Sequence, residues 1–182
     1  MTTHIALIRG INVGPSKRVP MAALREMLTG LGYDDVRTHL NSGNAVFRSN
    51  DSPGAVTAAV EKGLADELKV PARVVVRSRP QLVAAIAADP LKTVGDDGSK
   101  HFLGFLAAKP DQAKVDDIAE LTDAKSVTPD EVRLIDDHLY LWCPNGILKA
   151  TFIKVDWDKR LGTAVTMRNW NTVTKLAEIA AD

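Results

Sequence analysis

The stretch IRGINVGPSKRVPM, residues 8–21, gathers two glycines, two prolines, an asparagine and three cations, Arg9, Lys17 and Arg18. Gly10 and Gly14 allow close approach to the backbone. Lys17 and Arg18 stand just before an expected helix start, whose N–H groups and dipole favour anions. A phosphate-sized group is the chemistry that suits this pattern. The known nucleotide-loop signatures are absent: three residues separate Gly10 from Gly14, Pro15 follows instead of Gly-Lys-Ser, and no G-x-G-x-x-G occurs. A surface loop with solvated charges accounts for the same residues.

Two further stretches offer polar groups. In TMRNWNTVTKL, residues 166–176, Asn169 can cap a final helix, and Arg168 beside that N-terminus is placed to meet a carboxylate or phosphate. Thr172 stands where a capping box reserves Glu or Gln, so the box is incomplete. A capped terminal helix with Trp170 packed as an anchor is the plainer reading. The turn NSGN, residues 41–44, is explained by hairpin chemistry alone, and Asn41 is a candidate contact only by its polar position at a strand end. The hairpin is expected at the sheet end opposite the start of the first helix, apart from the 8–21 loop unless it is short.

No catalytic residue is assigned. His4, His39, His101 and His138 fall on expected strands at no metal-ligand spacing, and the single cysteine cannot pair, so neither a metal nor a cofactor is expected. Cys143, before Pro144-Asn145-Gly146, could carry a stabilised thiolate, although an inert half-buried thiol fits as well. Asp136 and Asp137 with His138 look like a hairpin turn. Asp156 and Asp158 flank Trp157 and could serve as acid or base, yet no nucleophile accompanies them. Asp116-Asp117 reads as a solvated helix face.

The totals narrow the partners. The chain has 182 residues, 45% apolar and 25% charged, with 23 basic against 23 acidic side chains. That is ordinary globular usage for one large domain or two small ones. Zero net charge excludes a general nucleic-acid coat and leaves only a local patch for such a role. One cysteine suits a reducing cytoplasm. No window approaches a membrane span, and the start reads as a strand, not a leader, so a soluble cytoplasmic protein without a membrane partner is expected.

The elements that must position these residues follow from periodicity. Residues 3–9 form a buried strand. After Pro20, Met21, Leu24, Leu28 and Leu31 repeat at helical spacing, and Gly32 closes the helix. Strands 36–40 and 45–47 flank NSGN. Ser52-Pro53 starts a helix with Val56, Val60, Leu64 and Leu68 on one face, and 72–76 is a β-branched strand. This order is the split βαβ pattern of a ferredoxin-like sandwich. A short helix follows, from Arg79-Pro80 to near Asp89-Pro90, and polar TVGDDGSK, 93–100, is the boundary candidate. The order then partly recurs: strand 101–107, helix 110–121 with Val115, Ile118 and Leu121 inward, hairpin 131–135 and 138–142, helix 146–155 with Leu148, Phe152 and Val155 aligned, strand 163–166, and a last helix facing inward through Val173, Leu176, Ala177 and Ala180. The expected fold is α+β, two ferredoxin-like (split βαβ) subdomains with mainly antiparallel sheets, divided as 1–92, with the extra helix, and 93–182.

Ile8-Arg9-Gly10-Ile11-Asn12-Val13-Gly14, then Met21, Leu24-Arg25, Gly32-Tyr33, Val36, Ser42-Gly43-Asn44 and Phe47, resemble the start of the bacterial proteins called domain of unknown function 1697. Thr166-Met167-Arg168-Asn169-Trp170-Asn171-Thr172-Val173 with Leu176 resembles the end of that family. Members usually carry a second glycine where this chain has Pro15, which stiffens the loop. The resemblance implies two similar α+β subdomains and no activity.

The expected function is binding of a small anionic, phosphorylated ligand. Arg9, Asn12, Lys17, Asn41, Arg168 and Asn169 are the candidate contacts, gathered from both chain ends. A nucleic-acid or protein interaction module is the rival. His101-Phe102-Leu103-Gly104-Phe105 faintly resembles an RNA-stacking strand but reads better as core, and aromatic residues are few, so nucleic acid is disfavoured. An enzyme is a third reading with no reaction assigned; the oligomeric state is not fixed by the sequence.

Overall fold

The computed structural model describes residues 1–116 and 129–182. It contains two four-stranded antiparallel sheets with helices, and both sheets share one strand order. The first is β2-β3-β1-β4, from β1 (Thr2–Ile8), β2 (Asp34–His39), β3 (Asn44–Ser49) and β4 (Val74–Ser78). Helices α1 (Met21–Gly30) and α2 (Pro53–Asp66) provide the two crossovers. The second sheet is β6-β7-β5-β8, from β5 (His101–Leu106), β6 (Glu131–Ile135), β7 (His138–Trp142) and β8 (Val165–Asn169). The fold is therefore α+β with two similar ferredoxin-like subdomains.

Chain contacts define two compact units, Met1–Ala84 with Lys175–Asp182, and Ala85–Thr174. The division expected from composition stood after residue 92, within the second of these. Helix α3 (Arg79–Ala87) runs across the change, as does the final helix.

In the first unit the expected helical faces supply the core. Leu24, Met27 and Leu28 of α1 and Val56, Val60 and Leu64 of α2 join Ala6, Ile8, Ala45, Phe47, Val74 and Val76 of the sheet. Ser52 caps α2 by accepting from Ala55 N–H at 3.3 Å, with Pro53 in the first turn. The helices approach closely at Gly63, where an added Cβ would stand 2.8 Å from Met27 Sδ. Tyr33 stacks on Phe47 with ring centroids 4.6 Å apart.

In the second unit Leu106, Leu139, Leu141, Cys143, Trp157, Leu161 and Val165 form the core. The hairpin at Asp136-Asp137 is as expected, with Asp136 at φ 52 and Ile135 paired to His138. Residues 112–116 are helical, and Asp116 is exposed, its carboxylate accepting from Gln112 at 3.0 Å. Ile118, Leu121 and Asp117, read above as parts of that helix, lie outside the described residues.

Helix 146–155 is a correction. Two 3-10 turns, Ile147–Lys149 and Thr151–Lys154, occupy that span, separated by Ala150 in extended conformation. Leu148, expected inward, is 84% exposed. Helix α4 (Trp157–Leu161) follows, and the strand expected at 163–166 begins later and runs to Asn169. The final helix α5 (Trp170–Ile179) buries Val173 and Leu176 as its spacing predicted, and Ala180 just past its end is buried too.

Candidate functional site

The 8–21 loop leaves the end of β1 and doubles back before α1. Asn12 N–H donates to Lys17 C=O at 2.7 Å across its neck. A single 3-10 turn, Pro15–Lys17, sits between, preceded by Gly14 at φ 80. Asn12 itself adopts φ 57, a left-handed conformation asparagine tolerates. Its carboxamide is a clamp: Oδ1 accepts from Val19 N–H at 2.9 Å, and Nδ2 donates to Val19 C=O at 3.0 Å and Asn41 C=O at 2.6 Å. Both amide hydrogens are thus spent on main-chain carbonyls. Asn12, expected to contact a ligand, ties the loop closed and fastens it to the hairpin.

The hairpin lies at the same sheet end as this loop, which corrects the placement expected above. Ile8 N–H donates to Gly43 C=O at 2.7 Å, and Leu7 pairs with Asn44. The reason is topological. Strand β3 is antiparallel to both β1 and β2, so β1 and β2 run the same way and their C-terminal ends share an edge. Gly43, at φ 84, meets Ile8 so closely that a Cβ there would stand 2.8 Å from Ile8 O. Only glycine fits that approach without displacing the backbone.

Between loop and hairpin is a hollow of about 530 Å³, lined by Asn12, Gly14, Pro15, Arg18, Val19, Pro20 and Asn41. Pro20 is the N-cap of α1, no side chain caps the first turn, and the first helical bond, Leu24 N–H to Pro20 C=O, is 3.0 Å. The amide groups ahead of that bond give this edge a partial positive charge. Arg9, Lys17 and Arg18 are exposed on the same loop, and no acidic residue falls between Ile8 and Met21. Arg18, which lines the hollow, is absent from the contacts expected above, although its position just before a helix was visible. Arg9 and Lys17 are not among the lining residues, and Asn41 is, in contact with Asn12.

Arg168 and Asn169 belong to the second unit, whereas Arg9, Asn12, Lys17 and Asn41 belong to the first. Arg168 lies opposite Leu103 in the sheet and donates to Met167 C=O at 2.8 Å. Burial pushes its guanidinium down to about 10, so it stays a cation at neutral pH. Asn169 caps α5, its Oδ1 accepting from Thr172 N–H at 3.0 Å. Trp170 stacks on His101 with centroids 4.3 Å apart.

The other candidates resolve into structural roles. His101 is buried with Nε2 3.4 Å from Asp89 Oδ1, and burial holds its pKa below the usual value despite that carboxylate. Asp89 also accepts from Leu91 N–H at 2.9 Å. Cys143 is fully buried, and burial pushes its thiol up to about 12. Asp156 caps α4 through Lys159 N–H at 3.1 Å, and Asp158 accepts from Val165 N–H at 3.0 Å. Among the described residues no group of three or more His, Cys, Asp or Glu is placed to hold a metal ion.

No curated protein matches the chain. Among solved structures, that of the conserved bacterial protein SP0830 from Streptococcus pneumoniae is similar, with a TM-score of 0.75, 24% identity and 98% of each chain covered. At that identity the likeness shows the fold alone. A family model described as "Protein of unknown function (DUF1697)" matches residues 1–140, a span that holds the 8–47 motifs and not the 166–176 motif. On that match the chain belongs to the DUF1697 family.

Proposed function

We propose that the protein binds a small anionic, phosphorylated ligand in the hollow between the 8–21 loop and the 41–44 hairpin. The observation that carries this reading is the hollow itself, about 530 Å³, with Arg18 and Pro20, the N-cap of α1, in its wall. That volume falls within the range of small-molecule sites. Arg18 would meet the anion, the first-turn amides of α1 would add directed N–H groups, and exposed Lys17 and Arg9 would raise the local concentration of anions. Asn12 and Asn41 hold the walls together. Asn169, whose carboxamide oxygen caps α5, is left out of the proposed contacts. No reaction is assigned.

A thermal-shift series of inorganic phosphate, sugar phosphates and nucleotides tests the reading. At least one should raise the melting temperature, and Arg18→Ala should abolish that rise. No stabilisation by any member of the series, or stabilisation that survives Arg18→Ala, would overturn it.

A further inference from the structure

The two 3-10 turns that replace the expected helix carry a short repeat. Ile147-Leu148-Lys149 and Phe152-Ile153-Lys154 each place an apolar residue inward, a large apolar residue outward, and a lysine after it. Ile147 and Phe152 pack against the second unit's core, and Ala150 between them is 2% exposed. Leu148 and Ile153 are 84% and 46% exposed, and Lys149 and Lys154 are both exposed. Core packing explains the inward pair and leaves the outward four unexplained.

Within residues 144–155 the charged side chains are of one sign, Lys149 and Lys154. No acidic residue falls between Pro144 and Val155. The flanking carboxylates of Asp130, Asp156 and Asp158 accept from neutral donors and keep their charge, against the cations Lys149, Lys154, Lys159 and Arg160. Asp130 accepts from Thr151 N–H and Oγ1 at 2.9 and 3.1 Å. Asp156 and Asp158 accept from Lys159 N–H and Val165 N–H. What faces outward is two large aliphatic tips, each beside an ammonium group. Such tips enter the acyl boundary of a bilayer while lysines stay at the headgroups, and only an anionic surface matches both features.

We propose that residues 147–154 form a peripheral docking patch for an anionic phospholipid surface. A hydropathy window misses such a patch, because it reads spans, and no helix among the described residues is long and apolar enough to be one. The patch lies in the second unit and stands independently of the anion site in the first.

Cosedimentation at low salt with phosphatidylcholine vesicles containing about one-third phosphatidylserine tests this, against phosphatidylcholine alone. The protein should partition to the anionic vesicles and not to the neutral ones. Lys149→Glu with Lys154→Glu should lower the partition coefficient by roughly 30-fold or more, from about a fivefold contribution per lysine. Leu148→Ser with Ile153→Ser should lower it by roughly tenfold or more. All four positions are exposed, so unchanged circular dichroism should accompany the loss. Absence of binding to anionic vesicles overturns the proposal, as does equal binding by either double variant. A dimer in sedimentation velocity that Leu148→Ser with Ile153→Ser dissolves would also overturn it, because a second copy would then cover the face.

Discussion

Replacing Asn12 separates a structural clamp from a ligand contact. Asn12→Ala removes three hydrogen bonds, to Val19 N–H, Val19 C=O and Asn41 C=O, at 2.9, 3.0 and 2.6 Å. Each is worth about 1 kcal/mol net, and more where a partner is left buried without a replacement. Val19 is 2% exposed, so water does not readily replace its two lost bonds, whereas Asn41 is exposed and its C=O can turn to water. Alanine must also hold φ near 57, at roughly 1 kcal/mol or more. The total is about 4 kcal/mol, a large share of the roughly 5–15 kcal/mol that holds a domain together. Urea denaturation of the ligand-free protein reads it directly. Asn12→Gly relieves the backbone conformation and should be about 1 kcal/mol less damaging than Asn12→Ala. A loss of less than about 1 kcal/mol in Asn12→Ala would refute the clamp and return the side chain to the ligand.

Glycine 43 offers a paired comparison with Gly32. Both have φ near 85, but a Cβ at Gly43 meets Ile8 O at 2.8 Å and one at Gly32 meets nothing within 4 Å. Gly32→Ala should cost about 1 kcal/mol and Gly43→Ala at least about 2 kcal/mol, measured by denaturant midpoint; equal losses would contradict the close approach. The buried histidines set a pH dependence. Burial lowers the pKa of both His4 and His101, so the unfolded chain binds more protons, and their contribution to stability is lost as pH falls below the usual histidine value of 6.5. Unfolding free energies at pH 7.5 and 5 should show the decline, and His101→Gln should flatten it. A thiol raised to about 12 by burial should resist alkylation by iodoacetamide at pH 8 in the native protein. Rapid modification of native Cys143 would show that the site opens.

The strands and helices of the first unit were legible because each has one dominant period. Val56, Val60 and Leu64 repeat every four residues, and Val74–Val76 is β-branched throughout. Residues 146–155 misled for the same reason. Leu148, Phe152 and Val155 have helical spacing, yet Ala150 takes an extended conformation and breaks the run into two turns, which no side-chain pattern records. The joining of the 8–21 loop to the NSGN hairpin was hidden by a topological misreading. The residue types there were read correctly, and the parallel course of β1 and β2 decided the edge. The role of Asn12 could not be read from its identity. Its partners are main-chain atoms seven and 29 residues away, which any residue types could supply. Arg18 was visible as a cation before a helix, and only the fold distinguishes it from its neighbour Lys17 as a wall of the hollow.

Isothermal titration of the intact protein with the phosphate compound that stabilises it most, beside Arg18→Ala and Arg168→Ala, addresses the central claim. Saturable binding, lost in Arg18→Ala and retained in Arg168→Ala, is the predicted result. Binding unchanged by Arg18→Ala, or no heat from any phosphorylated ligand, would contradict an anion site built on the 8–21 loop.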